Sequence, residues 1–378
     1  MSASPRLQIT SLSLAYAAAG VFWGAFAVAL PALQRDTGLS DGAFGLALGA
    51  MALAALPVMR VFGRWLERIE PWAITGAMLA FALGTAALAI LPGVGGLLVG
   101  LAVAGGASGA LDIALNSRTA RVEKDTGARL FNTVHAIFPA SMLATSVATG
   151  WARDVGIPLG VIFACVVVAL IAGGTLERFA GRHVVPAPRD AAPERARLAG
   201  VLLLLAAIAA AGAFQEAAAN AWAAIFVETV QGGSPLQAGF AAGAFTLGLV
   251  AGRLGAHVIE HRVRPMSLVR TAALVAAIGF AGVALDPPIW ASIVAFFCVG
   301  AGIGPIEPAV FRSVATRDHG AGRGPALASV TAVAYLGYLF SPVVLGLVGD
   351  AFGFAALWGV AVAVALSVVV MSARVRAA

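Results

Sequence analysis

Twelve apolar stretches follow one another along this chain, each about as long as the hydrocarbon core of a bilayer requires, with only short polar links between them. They lie at 12–33, 41–60, 72–91, 96–117, 130–150, 157–176, 198–227, 235–256, 266–285, 289–311, 325–349 and 352–373. A helix of about 20 residues crosses a core roughly 30 Å thick. In hydrocarbon every backbone N–H and C=O must be satisfied internally, which leaves helices or closed barrels. Spanning strands would alternate in polarity over about ten residues, and these Ala-, Leu-, Gly- and Val-rich runs do not. Charged residues make up 11% of the chain, against about 25% in soluble proteins. The sequence therefore predicts an all-α polytopic membrane protein with twelve transmembrane helices.

The basic residues set its orientation. With the N-terminus cytoplasmic, all of the 24 Lys and Arg except Arg35 and Arg153 fall on the cytoplasmic side, as the positive-inside rule requires. Both termini are expected to be cytoplasmic and the chain to be multi-pass in the inner (plasma) membrane. The same placement accounts for the net charge of +6 without a nucleic-acid partner. No signal peptide is expected, because the first apolar run is too long and lacks a small-residue cleavage site. Cys165 and Cys298 both sit inside apolar runs and imply no disulfide framework.

The chain also repeats itself. GGASGALD at 105–112 matches GAGIGPIE at 300–307 as G-x-x-x-G-x-x-[DE], at an offset of 195. Arg60 and Glu67 pair with Arg253 and Glu260 at 193, and Arg129 with Arg323 at 194. The constant order and spacing indicate two six-helix halves built on one plan. The Pro- and Arg-rich stretch at 177–197 reads as the link between them. The expected domains are a bundle at 1–176, a cytoplasmic linker at 177–197 and a second bundle at 198–378.

Two pseudo-symmetric six-helix bundles are the architecture of major facilitator transporters, which the chain resembles along most of its length. GRWLER at 63–68 resembles that family's loop signature G-x-x-x-D-R-x-G-R, through Gly63, Glu67 in place of Asp, and Arg68; Glu70 and Pro71 stand where the later residues would be. LDIALN at 111–116 resembles the L-E-x-A-x-N segment of the proton-coupled fucose permease group. The stretch GRGPALASVTAVAYLGYLFSPVVLGLVGD resembles the eleventh span of a related bacterial group. The resemblance implies a solute-binding site near the midplane and places Asp112 at the group's span-four carboxylate. That group also carries an acid in its first span, and here the first span has none.

Only Asp112, Glu216 and Glu307 among the acids lie well inside the predicted spans. A carboxylate at a helix centre costs roughly 2.5–3.5 kcal/mol to insert, and such residues mark function by default. Asn116 lies four residues after Asp112, and Asn220 four after Glu216, so each amide shares a helix face with its acid. An amide donates to an ionised carboxylate or accepts from a protonated one, which suits a titrating proton carrier. The alternative is a structural acid paired with a neighbouring helix. Gln215 and Trp222 flank Glu216 on a span long enough to be expected to break. Pro305 and Pro308 should loosen the helix around Glu307 and free backbone carbonyls. His135, the only histidine within a span, suits substrate binding, proton shuttling or a structural role, but not metal binding, since no ligand partners accompany it. Phe22, Trp23 and Phe26 suit either packing or stacking on a solute.

The loop charges are read as gates or as solvated topology signals: Arg60, Gly63, Glu67, Arg68, Arg118, Arg129, Arg253, Glu260 and Arg323. Gly105/Gly109 and Gly300/Gly304 are G-x-x-x-G pairs for close helix approach. No Walker sequence, G-x-S-x-G or H-E-x-x-H occurs, so neither an ATP-driven pump nor an enzyme is expected, and no cofactor or metal. The expectation is a secondary transporter, a monomer, working by alternating access with a small-molecule substrate and protons as the coupling ion. Efflux of hydrophobic compounds and a non-transporting membrane sensor are the alternatives.

Overall fold

In the computed structural model, residues 4–127, 130–180, 200–317 and 323–375 are described, with the backbone alone for residues 67, 70, 71, 131, 132, 317, 323–325 and 328. The helices are α1 Pro5–Thr37, α2 Asp41–Ile90, α3 Gly93–Thr126, α4 Phe131–Asp154, α5 Leu159–Ala180, α6 Val201–Ile225, α7 Pro235–Ile259, α8 Pro265–Ala284, α9 Ile289–Ile303, α10 Ile306–Arg317 and α11 Arg323–Arg374. Their starts are written locally. Ser4 caps α1 by accepting from the Leu7 N–H, with Pro5 in the first turn. Ser234 and Gln237 form a capping box on α7, again with proline in the first turn.

Ten helical segments among the described residues are long and apolar enough to cross a membrane. Two long helices each hold two passes. At 1.5 Å per residue the 50 residues of α2 would reach about 75 Å, so its candidate spans are Asp41–Leu66 and Trp72–Ile90. The GRWLER signature is thus helical and sits where one span meets the next. In α11 the break falls at Gly353, whose φ of 81° is open to glycine at no steric cost. With that division, and with the 24 residues of α4, the described helices supply twelve passes.

The chain divides into two compact units, one of Met1–Leu39 and Ala47–Ala187, the other of Ser40–Leu46 and Pro188–Ala378. In the first, α1 packs against α3, α4 and α5. Phe22 and Phe26 are buried there, with Phe22 stacked on Phe26 and 4.2 Å from the ring of Phe81, so these aromatics are packing. In the second, α11 packs on α6 and α8, and α7 on α9. The first turns of α2 belong to this unit: Ser40 Oγ donates to Asp350 at 2.7 Å. Most of the expected linker at 177–197 lies outside the described residues, but Glu177–Ala180 complete α5. The expected break in the seventh span is absent. α6 has no proline, is rich in alanine, runs unbroken to Ile225, and passes into a π-turn at Phe226–Val230.

The glycine pairs do the same work in each unit. A Cβ on Gly105 would lie 2.1 Å from the Met51 carbonyl oxygen, and one on Gly109 3.1 Å from that of Ala55, so α3 rests backbone-to-backbone on α2. A Cβ on Gly300 would lie 2.1 Å from the Phe245 carbonyl oxygen and one on Gly304 2.5 Å from that of Leu249, which seats α9 on α7. Close approach of this kind supplies van der Waals packing where lipid offers no hydrophobic gain.

A buried ion pair closes one end of the first unit. Arg118 Nε on α3 donates to Glu177 Oε1 on α5 at 2.7 Å, with side-chain exposures of 8% and 4%. Ser11 of α1 donates to the other carboxylate oxygen, and Gln8 accepts from Arg118 at 3.2 Å. Three helices are thereby tied by one charge pair with two further hydrogen bonds to it.

Two stability outcomes follow. Gly105→Leu should cost about 1–3 kcal/mol or more by overpacking, lowering the thermal midpoint of the purified protein, whereas Gly95→Leu, which meets no atom within 4 Å, should leave it unchanged. Arg118→Met should cost about 3–5 kcal/mol by stranding the Glu177 carboxylate. The double change Arg118→Met with Glu177→Leu should recover most of that loss in the same melt.

Candidate functional site

Each unit carries one polar cluster built around an intramembrane acid. In the first, Asp112 and Asn116 share a face of α3, and the Asn116 amide donates to Asp112 Oδ1 at 3.0 Å and to the Asp112 carbonyl at 2.9 Å. Tyr16 of α1 reaches across: its hydroxyl donates to Asn116 Oδ1 at 3.4 Å and lies 3.1 Å from Thr119 Oγ1. The imidazole of His135, on α4, stands with its ring 5.7 Å from that of Tyr16. Tyr16 is buried while Asp112 and His135 are exposed. The carboxylate therefore faces away from the unit's core, with a chain of polar groups behind it. The i,i+4 geometry expected from the sequence is present, and the amide is in position to serve either protonation state.

The second cluster is arranged differently. Glu216 on α6 faces Arg253 on α7, with the guanidinium 4.0 Å from its carboxylate and both side chains partly exposed. The i,i+4 amide at Asn220 is half-buried on the same helix. Pro308 has no N–H to give the carbonyl four residues before it, and the helix breaks there: α9 ends at Ile303, α10 begins at Ile306, and the Gly304 carbonyl accepts from Arg253 Nε at 3.4 Å. A freed carbonyl, as the two prolines predict, thus helps to orient the cation that faces Glu216. Tyr338 of α11 lies in the field of Glu216, Glu307 and Arg253, beside Tyr335 at 6.1 Å between rings. Glu307 is half-buried in the first turn of α10.

Two residues grouped with Glu216 in the sequence are buried. Gln215 is inaccessible, its amide donating to the Ala211 carbonyl, and its Oε1 has no hydrogen-bond partner. Trp222 is also inaccessible, packed edge-on to Phe354 at 6.0 Å, and its indole N–H is unpartnered.

The loop charges divide into paired and exposed groups. Arg118 belongs to the buried pair with Glu177. Glu260 is held by Arg312 and by His257. Arg60 is exposed, and the Arg68 guanidinium lies over the Trp65 ring at 4.7 Å. Gly63 sits against Ile113, 3.8 Å from where its Cβ would be. Arg129 and the side chains of Glu67 and Arg323 lie outside the described residues.

Sequence reasoning missed Tyr16, Tyr338, Glu177 and His257. The chain has three tyrosines, and all three stand in or beside the two clusters. A phenol inside an apolar span needs a polar partner, so the tyrosines were a usable signal.

Comparison with known proteins agrees with this architecture. The sequence matches the model of the Major Facilitator Superfamily over residues 12–324. An uncharacterised MFS-type transporter of Yersinia pestis is 28% identical over 97% of this chain and 95% of its own length. The crystal structure of the nucleoside transporter NupG superposes with a TM-score of 0.76 at 13% identity, covering 96% of this chain and 98% of that one. A bacterial homologue of the human lysosomal transporter Spinster, inward-facing and occupied, gives 0.72 at 15% identity, covering 97% and 95%. With twelve helical passes, a family match across most of its length and a full-length relative of the same kind, this chain belongs to the major facilitator superfamily.

Proposed function

We propose that this chain moves a small solute across the plasma membrane by alternating access, coupled to protons, as a monomer with both termini on the cytoplasmic side. Membership of the superfamily supports a multi-pass membrane protein and a secondary transporter rather than an enzyme. The finer reading rests on one observation: an accessible carboxylate on a spanning helix, Asp112, hydrogen-bonded to the Asn116 amide with Tyr16 behind it. Held in lipid, that carboxylate would cost roughly 2.5–3.5 kcal/mol. Facing a polar passage it costs far less and is free to exchange a proton. Its neighbours suit both charge states, so protonation changes the local charge without breaking the cluster.

In this reading Asp112 is the proton carrier of the first unit. Asn116, Tyr16 and His135 orient the carboxylate and meet polar groups of the solute. Glu216, oriented by Arg253, and Glu307 are the second unit's charged contacts, with Asn220 beside them. Gln215 and Trp222 support α6 from within. The paired charges at the helix ends, Arg118 and Glu260 among them, together with Arg60, Gly63, Glu67, Arg68, Arg129 and Arg323, act as gates or hold the ends of the bundles. Protonation biases the conformational equilibrium by no more than the difference in proton affinity between its two states. The orientation is supported by the charge asymmetry of the loops.

Proteoliposomes enclosing a pH-sensitive dye test this directly when challenged with pooled sugars, organic acids and amphiphiles. A solute-driven pH change should appear with the wild type, acidification for symport and alkalinisation for antiport. It should fall to background with Asp112→Asn while solute binding, read by thermal shift, is retained. Solute entry with no pH change in the wild type contradicts proton coupling. An undiminished signal in Asp112→Asn contradicts the assignment of the proton to that residue.

A further inference from the structure

Arg118 lies six residues after Asp112 and Arg312 five residues after Glu307, near corresponding places in the two repeats. They are treated differently. Arg118 is held in a buried pair with Glu177; Ser11 donates to that carboxylate and Gln8 accepts from the guanidinium. Arg312 meets Glu260 instead, with side-chain exposures of 38% and 24%, and the same carboxylate is shared with His257 Nδ1 at 3.3 Å. Beside this pair, within the second unit, is a cavity of about 220 Å³.

The lining is chemically one-sided. Arg253, His257 and Arg312 face the cavity with a single acid, Glu260. Arg253 also faces Glu216, and its Nε is turned to the Gly304 carbonyl. Two helices begin on the wall, α8 at Pro265 and α10 near Pro305 and Pro308. Their N-terminal ends carry the positive pole of the helix dipole. Glu307, in the first turn of α10, is not among the lining residues. The rest of the wall is Ala256, Val263, Leu268 and Ala309 with the prolines, a surface suited to carbon rather than to a second charge. The volume is below the roughly 300–1,000 Å³ of pockets for drug-sized ligands, so the occupant is small.

We infer that this cavity is a binding site for a phosphate group carried on a small organic or lipid moiety, held between Arg253 and Arg312, with Glu260 as the resident carboxylate that occupies Arg312 in its absence. Guanidinium forks match phosphate oxygens with two parallel, charge-assisted hydrogen bonds. A free phosphate or monoester carries more charge than the Glu260 carboxylate, and a phosphodiester headgroup matches its charge; either competes with it for the Arg312 fork. His257, largely exposed at the rim, supplies a third donor when protonated. Free phosphates and phospholipid headgroups share this chemistry. Occupancy would exchange the Arg312–Glu260 contact for an Arg312–phosphate contact at the junction of α7, α8 and α10, and so tie this end of the second unit to the phosphate supply around it.

Thermal melts of the purified full-length protein test the site. One arm titrates inorganic phosphate against potassium chloride of matched ionic strength in neutral detergent, since simple screening would act in both. The other adds short-chain phosphatidylglycerol to the protein in the same neutral, phosphate-free detergent, with the detergent alone as its control. A stabilisation specific to phosphate assigns a soluble source, and one specific to phosphatidylglycerol a lipid source; either supports the site. Arg312→Gln and Arg253→Gln should each raise the half-saturating concentration about tenfold, the loss of one charge-assisted contact. Glu260→Gln should lower it several-fold, because the competing carboxylate is gone. That last variant decides the matter if an arginine variant fails to fold. No stabilisation by either probe in wild type and Glu260→Gln overturns the proposal, as does an unchanged or weaker affinity in Glu260→Gln. A response that persists undiminished in folded Arg312→Gln and Arg253→Gln also overturns it.

Discussion

Hydrocarbon offers no water to a polar group, so each backbone group within the bilayer must find its partner inside the protein, and charged side chains gain by doing the same. The backbone meets this demand by being helical almost throughout, and the helices then meet one another through glycine. Gly105 on Met51 and Gly300 on Phe245 bring main chains so close that even a methyl group would collide. The side chains meet the same demand by clustering. Asp112 has Asn116 and Tyr16 behind it, Glu216 has Arg253, and Arg118 has Glu177. Helix count, close packing and the location of the polar clusters all follow from that one solvent property.

The two repeats use one plan for different ends. Arginines lie six residues after Asp112 and five after Glu307, but the first is buried with its acid and two further hydrogen-bond partners, whereas the second shares a half-exposed acid with a histidine at the edge of a cavity. The carboxylate clusters diverge in the same way. In the first unit a neutral amide and a phenol surround the acid, an environment that tolerates either charge state. In the second a guanidinium faces it, 4.0 Å away.

Much of this was legible in the sequence, and the rest was hidden for identifiable reasons. Apolar run length gave the helices. The repeat of G-x-x-x-G gave two equivalent helix contacts that the structure displays. The four-residue spacing gave the Asp112–Asn116 bond because that bond lies within one helix. The same spacing at Glu216 and Asn220 did not announce Arg253, which arrives from another helix and is invisible to spacing. Glu177 was hidden by composition: it opens a polar, proline-rich stretch and reads as linker, yet α5 continues through it and carries it into the core. Pro308 was the opposite case, since a missing N–H predicted a free carbonyl at Gly304 and Arg253 takes it.

The central claim is that Asp112 gains and loses a proton while its cluster stays intact. Infrared difference spectroscopy of the reconstituted protein across a pH titration reads this without knowledge of the solute. The account predicts a protonated-carboxyl C=O band that fades as pH rises and is missing from Asp112→Asn, with the amide backbone bands unchanged between the two proteins. A carboxyl band that titrates identically in wild type and Asp112→Asn would contradict it.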